Sequence, residues 1–169
     1  MINKILFYIS GFLPCRIIDR DNGTPYLERY YIGEFFGETF YLHRFVQSDT
    51  GEPLHNHPWR KGFSIILTGS YIEEVVNDLA TFGCVTSIRN VRFVNRVNGN
   101  HFHRIMKAKP RTWTLFAHGP RSVVNGRVKG WGFLVRTLTG VEFAPYNSSP
   151  SQTWWVDALK GNRANRAPL

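Results

Sequence analysis

Apolar and aromatic residues along the chain fall in short runs broken by turn signals, and no segment sustains a long helical period. The pattern predicts strands over 26–32, 39–46, 62–67, 71–76, 86–94, 101–106, 112–116 and 131–137. Breaks are expected at Asp49-Thr50-Gly51, Thr68-Gly69-Ser70, Asn98-Gly99-Asn100, Lys109-Pro110 and Gly119-Pro120, where Gly, Pro and Asn supply turn geometry. Evenly spaced strands of this kind predict an all-β sandwich or barrel such as a jelly roll. A brief helical turn is expected over 77–83. Beyond Pro145 the chain reads as irregular, with a short helix around 155–159 and a frayed end.

The first thirteen residues place Lys4 before an apolar stretch, but Ser10 and Gly11 interrupt it and no small-residue cleavage site follows. A first strand or an amphipathic segment packed on the barrel is expected there, and a cytoplasmic location with it. With 169 residues, one domain is expected, its core over about 25–144 and an irregular extension over 145–169.

Composition sharpens this picture in two places. Aromatic residues reach 15%, including 13 Phe, 7 Tyr and 5 Trp, which suits half-buried strands and the walls of a ligand cavity. The net charge of +9 makes anionic partners plausible. The basic residues are dispersed and no nucleic-acid motif accompanies them, so nucleic acid is not expected as a partner. Cys15 and Cys84 are too few for a disulfide framework and read as buried or semi-buried thiols. There is no Walker-type loop, no G-x-S-x-G elbow, no H-E-x-x-H and no paired-Cys zinc motif.

The candidate chemistry lies in the histidines. The chain has 6, and four of them form two H-x-H pairs, His55 with His57 and His101 with His103. Residues i and i+2 of a strand share a face, so each pair aims both rings into one space. Two converging pairs supply three or four nitrogen ligands for a transition metal.

The stretch Gly51-Glu52-Pro53-Leu54-His55-Asn56-His57-Pro58-Trp59, continuing to Gly69, resembles the first motif of the cupin superfamily. Val97-Asn98-Gly99-Asn100-His101-Phe102-His103-Arg104 resembles the second. The H-P-W step, the His-Arg step, Gly119-Pro120-Arg121 and Trp131-Gly132-Phe133 are similar to those of bacterial and phage cupin proteins. The resemblance covers roughly 41–133 and implies a double-stranded β-helix barrel with a metal in its cavity. Where most cupins carry a ligand Glu this chain has Lys61 or Gly62, so the resemblance implies a three-His site, as in the thiol dioxygenase branch. It favours His103 as third ligand beside His55 and His57, and leaves His101 as a fourth ligand or a catalytic acid–base group.

The metal expected is a divalent transition ion, Fe(II) first, with Zn, Ni or Mn as alternatives. The reaction class expected is oxygenation of a small anionic molecule. The alternative is a non-catalytic cupin module that binds or sequesters a small molecule or nucleotide. Arg60, Arg104 and Arg121 are candidate anion clamps, and Tyr41 and Trp59 candidate walls of the substrate pocket. A homodimer formed through barrel edges is expected from the resemblance, and no membrane association is expected.

Overall fold

The computed structural model describes residues 1–20, 23–47, 53–80, 83–124, 127–128, 130–146 and 153–169. One helix, α1 (Ile2–Ser10), precedes β1 (Cys15–Asp19), β2 (Pro25–Phe35), β3 (Glu38–Phe45), β4 (Gly62–Thr68), β5 (Tyr71–Ala80), β6 (Gly83–Val91) and β7 (Val94–Val97). Then follow β8 (His103–Ala108), β9 (Thr112–His118), β10 (Val123–Val124), β11 (Arg127–Val128), β12 (Gly132–Thr137) and β13 (Gly140–Pro145).

The main sheet has the order β1-β2-β3-β9-β4-β7, and a smaller one has the order β6-β5-β8. Every pairing is antiparallel, and β12 forms a hairpin with β13. The two main sheets face each other through an apolar cluster of Leu27 and Phe45 from one, and Tyr71, Val91 and Ala108 from the other. The architecture is therefore all-β, as the run pattern predicts.

Strand alternation decides which side each residue serves. On β2 and β3, Leu27, Arg29, Tyr31, Tyr41, His43 and Phe45 face the smaller sheet, while Glu28, Tyr30, Leu42 and Arg44 face outward. The outward side is not solvent. Cys15, Tyr30, Leu42 and Trp113 form a second cluster there, covered by Leu6 and Phe7 of α1. The positions that pack down, Asn3, Leu6, Phe7 and Ser10, recur at helical spacing, so the amphipathic segment is a helix and not a strand.

The turn at Gly69 behaves as expected. Its φ of +76° lies in the left-handed region, and a Cβ there would run into the Thr112 side chain. The turn expected at Asp49-Thr50-Gly51 lies outside the described residues, as does Glu52.

Four expectations change. The run 86–94 is not one strand, because β6 ends at Val91 in the small sheet and β7 begins at Val94 in the large one. The helical turn over 77–83 gives way to β5 itself, whose pairing with β6 runs to Ala80↔Gly83 past a bulge at Val76/Asp78. Residues 155–159 leave a turn through a bend into irregular chain and form no helix. Finally, the C-terminal end is clamped. Arg44 on β3 donates to the carbonyls of Ala167 (2.7 Å) and Pro168 (2.5 Å), the Ala167 N–H donates to Glu28, and Arg166 donates to the Phe7 carbonyl. Strands β1 and β13 extend the sheets beyond the expected run of strands. Among the described residues, no helix is long and apolar enough to cross a membrane.

Candidate metal centre

His55 and His57 come from an extended segment laid between two other parts of the barrel. The His55 N–H donates to the His103 carbonyl (3.0 Å), and the His55 carbonyl accepts from the His103 N–H (2.9 Å). One residue on, the Asn56 N–H donates to the Gly132 carbonyl (3.1 Å). The Asn56 side chain points the other way, donating to the Gly99 carbonyl and accepting from the Gly132 N–H, each at 2.9 Å. Asn56 thus ties the segment down from behind, and alternation turns both flanking imidazoles to the opposite side.

His103 opens β8. His57 Nε2 and His103 Nε2 stand 2.7 Å apart, and the His55 ring centroid is 5.1 Å from that of His103. One ligating nitrogen from each of His55, His57 and His103 falls within 4.8 Å of the others. A second set with the same spread, Glu73, His101 and His103, lies on the far side of the His103 ring. Glu73 already accepts from His103 Nδ1, from Arg89 Nε (2.6 Å) and from Asn95 Nδ2 (2.9 Å). With its oxygens so engaged Glu73 is the weaker candidate donor, and the three-His set is the better candidate donor group.

Electrostatics keep these rings in the form that ligates. Burial first, then the neighbouring His103, push His55 down to about 3, and the same two causes push His57 well below the ordinary histidine range. Burial alone would raise the Glu73 carboxyl, but the hydrogen bond and charge of His103, with Arg89 and Asn95, outweigh it and hold it at about 2. The Glu73 carboxylate takes Nδ1 of His103, so Nε2 is the atom the ring turns towards His57. Three imidazoles, one of them oriented by a buried carboxylate, fit a divalent transition-metal ion by the chemistry of the donor set.

Beside this group lies a cavity of about 450 Å³. His55, His57, Tyr41, Trp59 and Arg121 line it, together with His118, Arg16, Arg29 and Trp154. Trp59 stacks between His57 (4.9 Å) and His118 (4.3 Å). Burial lowers His118 to about 4.

The comparisons show the following. No protein-family model and no curated protein matches the chain. Among solved structures it is similar to KdgF from Halomonas sp., with a TM-score of 0.44 and 13% identity over 63% of this chain and 87% of that one. It is similar to an oxalate decarboxylase variant from Bacillus subtilis at a TM-score of 0.47 and 12% identity, over 69% and 29% of the two chains. HEPD from Streptomyces albus, with Fe(II) and 2-hydroxyethylphosphonate bound, gives 0.47 and 8% over 66% and 25%. The chain thus spans under a third of the length of the latter two. From this chain's own topology the fold is two facing antiparallel sheets, with the H-x-H segment bridged to the His that opens β8. It is an all-β barrel.

Within the barrel, not every expected residue reaches the cavity. Arg60 is exposed and does not line it. Arg104 is turned to Glu74, with Nε at 2.7 Å from the carboxylate. His101 lies outside the strand, in the turn before β8, so it does not share a strand face with His103. It borders Glu73 and Arg89 and does not line the cavity; burial, then the charge of His103, lower it to about 4.

Sequence reasoning missed Glu73, Arg16 and Arg29. Glu73 was detectable as an acid between Tyr71 and Val75 on the inward parity of β5. Arg29 occupies the same kind of position on β2, between Leu27 and Tyr31.

Proposed function

We propose that this chain is a metal-dependent enzyme acting on a small anionic molecule, with His55, His57 and His103 as three nitrogen ligands of a divalent transition ion. One observation carries the reading: three imidazoles converge at the edge of a cavity whose wall also holds arginines. When bound, such an ion supplies Lewis-acid or dioxygen chemistry with positions left open by its three protein ligands. The chain's own residues do the rest. Glu73 orients His103, Asn56 holds the ligand-bearing segment, and the Trp59 stack shields one side of the site from water.

Fe(II)-dependent oxygenation is the leading reaction class, on the resemblance to cupins that also lack the ligand Glu. The experiment is elemental analysis of protein purified without a His tag, followed by oxygen uptake with small aromatic acids and thiols. Near-stoichiometric iron and substrate-dependent uptake are expected. No metal after reconstitution overturns the reading and leaves a small-molecule-binding module.

A further inference from the structure

The floor of the cavity carries charge that no described residue neutralises. Arg16 on β1 stands directly opposite Arg29 on β2, and Arg29 stands opposite His43 on β3. The three form a row across the inner face of the large sheet. Arg29 Nε donates to His43 Nε2 at 3.0 Å, so the accepting nitrogen carries no proton and the guanidinium is held by a neutral partner. Its Cζ lies 5.4 Å from the centre of the Tyr41 ring.

Among the described residues, no carboxylate lies within 4.0 Å of Arg16, Arg29 or Arg121. The acidic side chain in the cavity wall, Glu34, is exposed near the end of β2. Like charges set directly opposite across two strands are destabilising, and a desolvated cation without a counter-charge more so. Other arginines of this barrel are treated differently. Arg44 pairs with Glu28, Arg89 with Glu73 and Arg104 with Glu74. The contrast marks the row as a place where an anion from outside supplies the missing charge. Above it the walls are flat and aromatic, with Trp154 stacked on Tyr41 at 6.2 Å and Trp59 packed on Phe116 at 5.3 Å.

We propose that Arg16 and Arg29 form an oxyanion subsite, and that the cavity takes a small aromatic acid. Its carboxylate or phosphoryl group docks on the two guanidiniums, and its ring lies against Trp59, Tyr41 and Trp154. This takes the cavity beside the three histidines as the substrate site and so rests on the metal-enzyme reading.

The test titrates metal-free and zinc-loaded protein with benzoate, phenyl phosphate, inorganic phosphate and benzyl alcohol, read by calorimetry and tryptophan fluorescence. Benzoate or phenyl phosphate is expected to bind at least about tenfold more tightly than benzyl alcohol, and to lose about that factor in Arg29→Gln. Arg16→Gln is expected to show a smaller loss, and the distant Arg163→Gln none. Arg29→Gln should melt no lower than wild type, since it relieves repulsion, whereas an arginine that only braces the sheet would lower the midpoint. If Arg29→Gln does not fold, Arg16→Gln and Arg29→Lys carry the same comparison.

Wild-type affinity in the folded Arg29 and Arg16 variants overturns the subsite, as does equal binding of benzyl alcohol or no binding of either aromatic anion. Inorganic phosphate binding as tightly as phenyl phosphate overturns the aromatic part. Zinc that fails to bind, with benzoate still bound through Arg29, sinks the metal reading and leaves the subsite standing.

Discussion

His103 Nδ1 is hydrogen-bonded to the wholly buried Glu73 carboxylate, while Nε2 of the same ring faces His57 at 2.7 Å. The ring is gripped on one side and presented on the other. Glu73 is itself held by Arg89, its cross-strand neighbour on β6, and by Asn95 on β7. A partner shell of this kind commonly changes metal affinity by about 10- to 100-fold when lost. Glu73→Gln should therefore weaken zinc binding by roughly that factor with the circular dichroism spectrum unchanged. Calorimetry decides it, and wild-type affinity would remove Glu73 from the site.

The double variant His55→Ala with His57→Ala should lose bound metal and remain folded. Backbone bonds, not the imidazoles, join residues 54–56 to His103, Gly132 and Leu134. Elemental analysis beside a thermal melt is the check. Metal content equal to wild type would sink the three-His assignment.

Arg44 and Glu28 face outward beneath the C-terminal tail, both buried, 3.2 Å apart. Removing one member strands the other, which costs about 3 to 5 kcal/mol in buried pairs. Arg44→Met should lose about that much in urea denaturation, and adding Glu28→Gln should recover part of it. A single variant as stable as wild type would mean that the clamp contributes nothing.

The Cys15 thiol is pushed up from 9.0 to about 12, by burial first and then by the nearby Glu28. The sign follows directly. A folded pKa above the unfolded one adds stability below pH 9.0, and this is lost as pH rises towards about 12. Iodoacetamide at pH 8 should modify Cys84 in the native protein and reach Cys15 only in denaturant. Mass spectrometry showing rapid native labelling of Cys15 would contradict this.

Tyr41 behaves alike, raised to about 12 chiefly by burial against the pull of Arg29. It should show no phenolate absorbance on titration of the folded protein to pH 10.

The all-β class, the strands and the two H-x-H pairs were legible because alternation and turn residues are local properties. His55 and His57 share a face by spacing alone, and Asn56 between them turns to the other side. The role of His101 was not legible. Whether it follows His103 depends on where β8 begins, and the turn closed by the bond from the His101 N–H to the Asn98 carbonyl leaves it outside the strand. Arg60 and Arg104 looked equivalent to Arg121 in sequence. Position in the barrel separates them, since only Arg121 lies opposite Trp59, in a bridge at the cavity wall.

What the sequence determined by itself, then, was which imidazoles are spaced to converge and that His55 and His57 face together within one segment. Periods of two and turn chemistry are written into neighbouring residues. The tertiary structure alone decided which segments meet: Glu73 behind His103, Arg16 opposite Arg29, and the tail under Arg44. These contacts join residues far apart in the chain. They follow from strand order and register, which depend on how whole faces pack and not on any short stretch read alone.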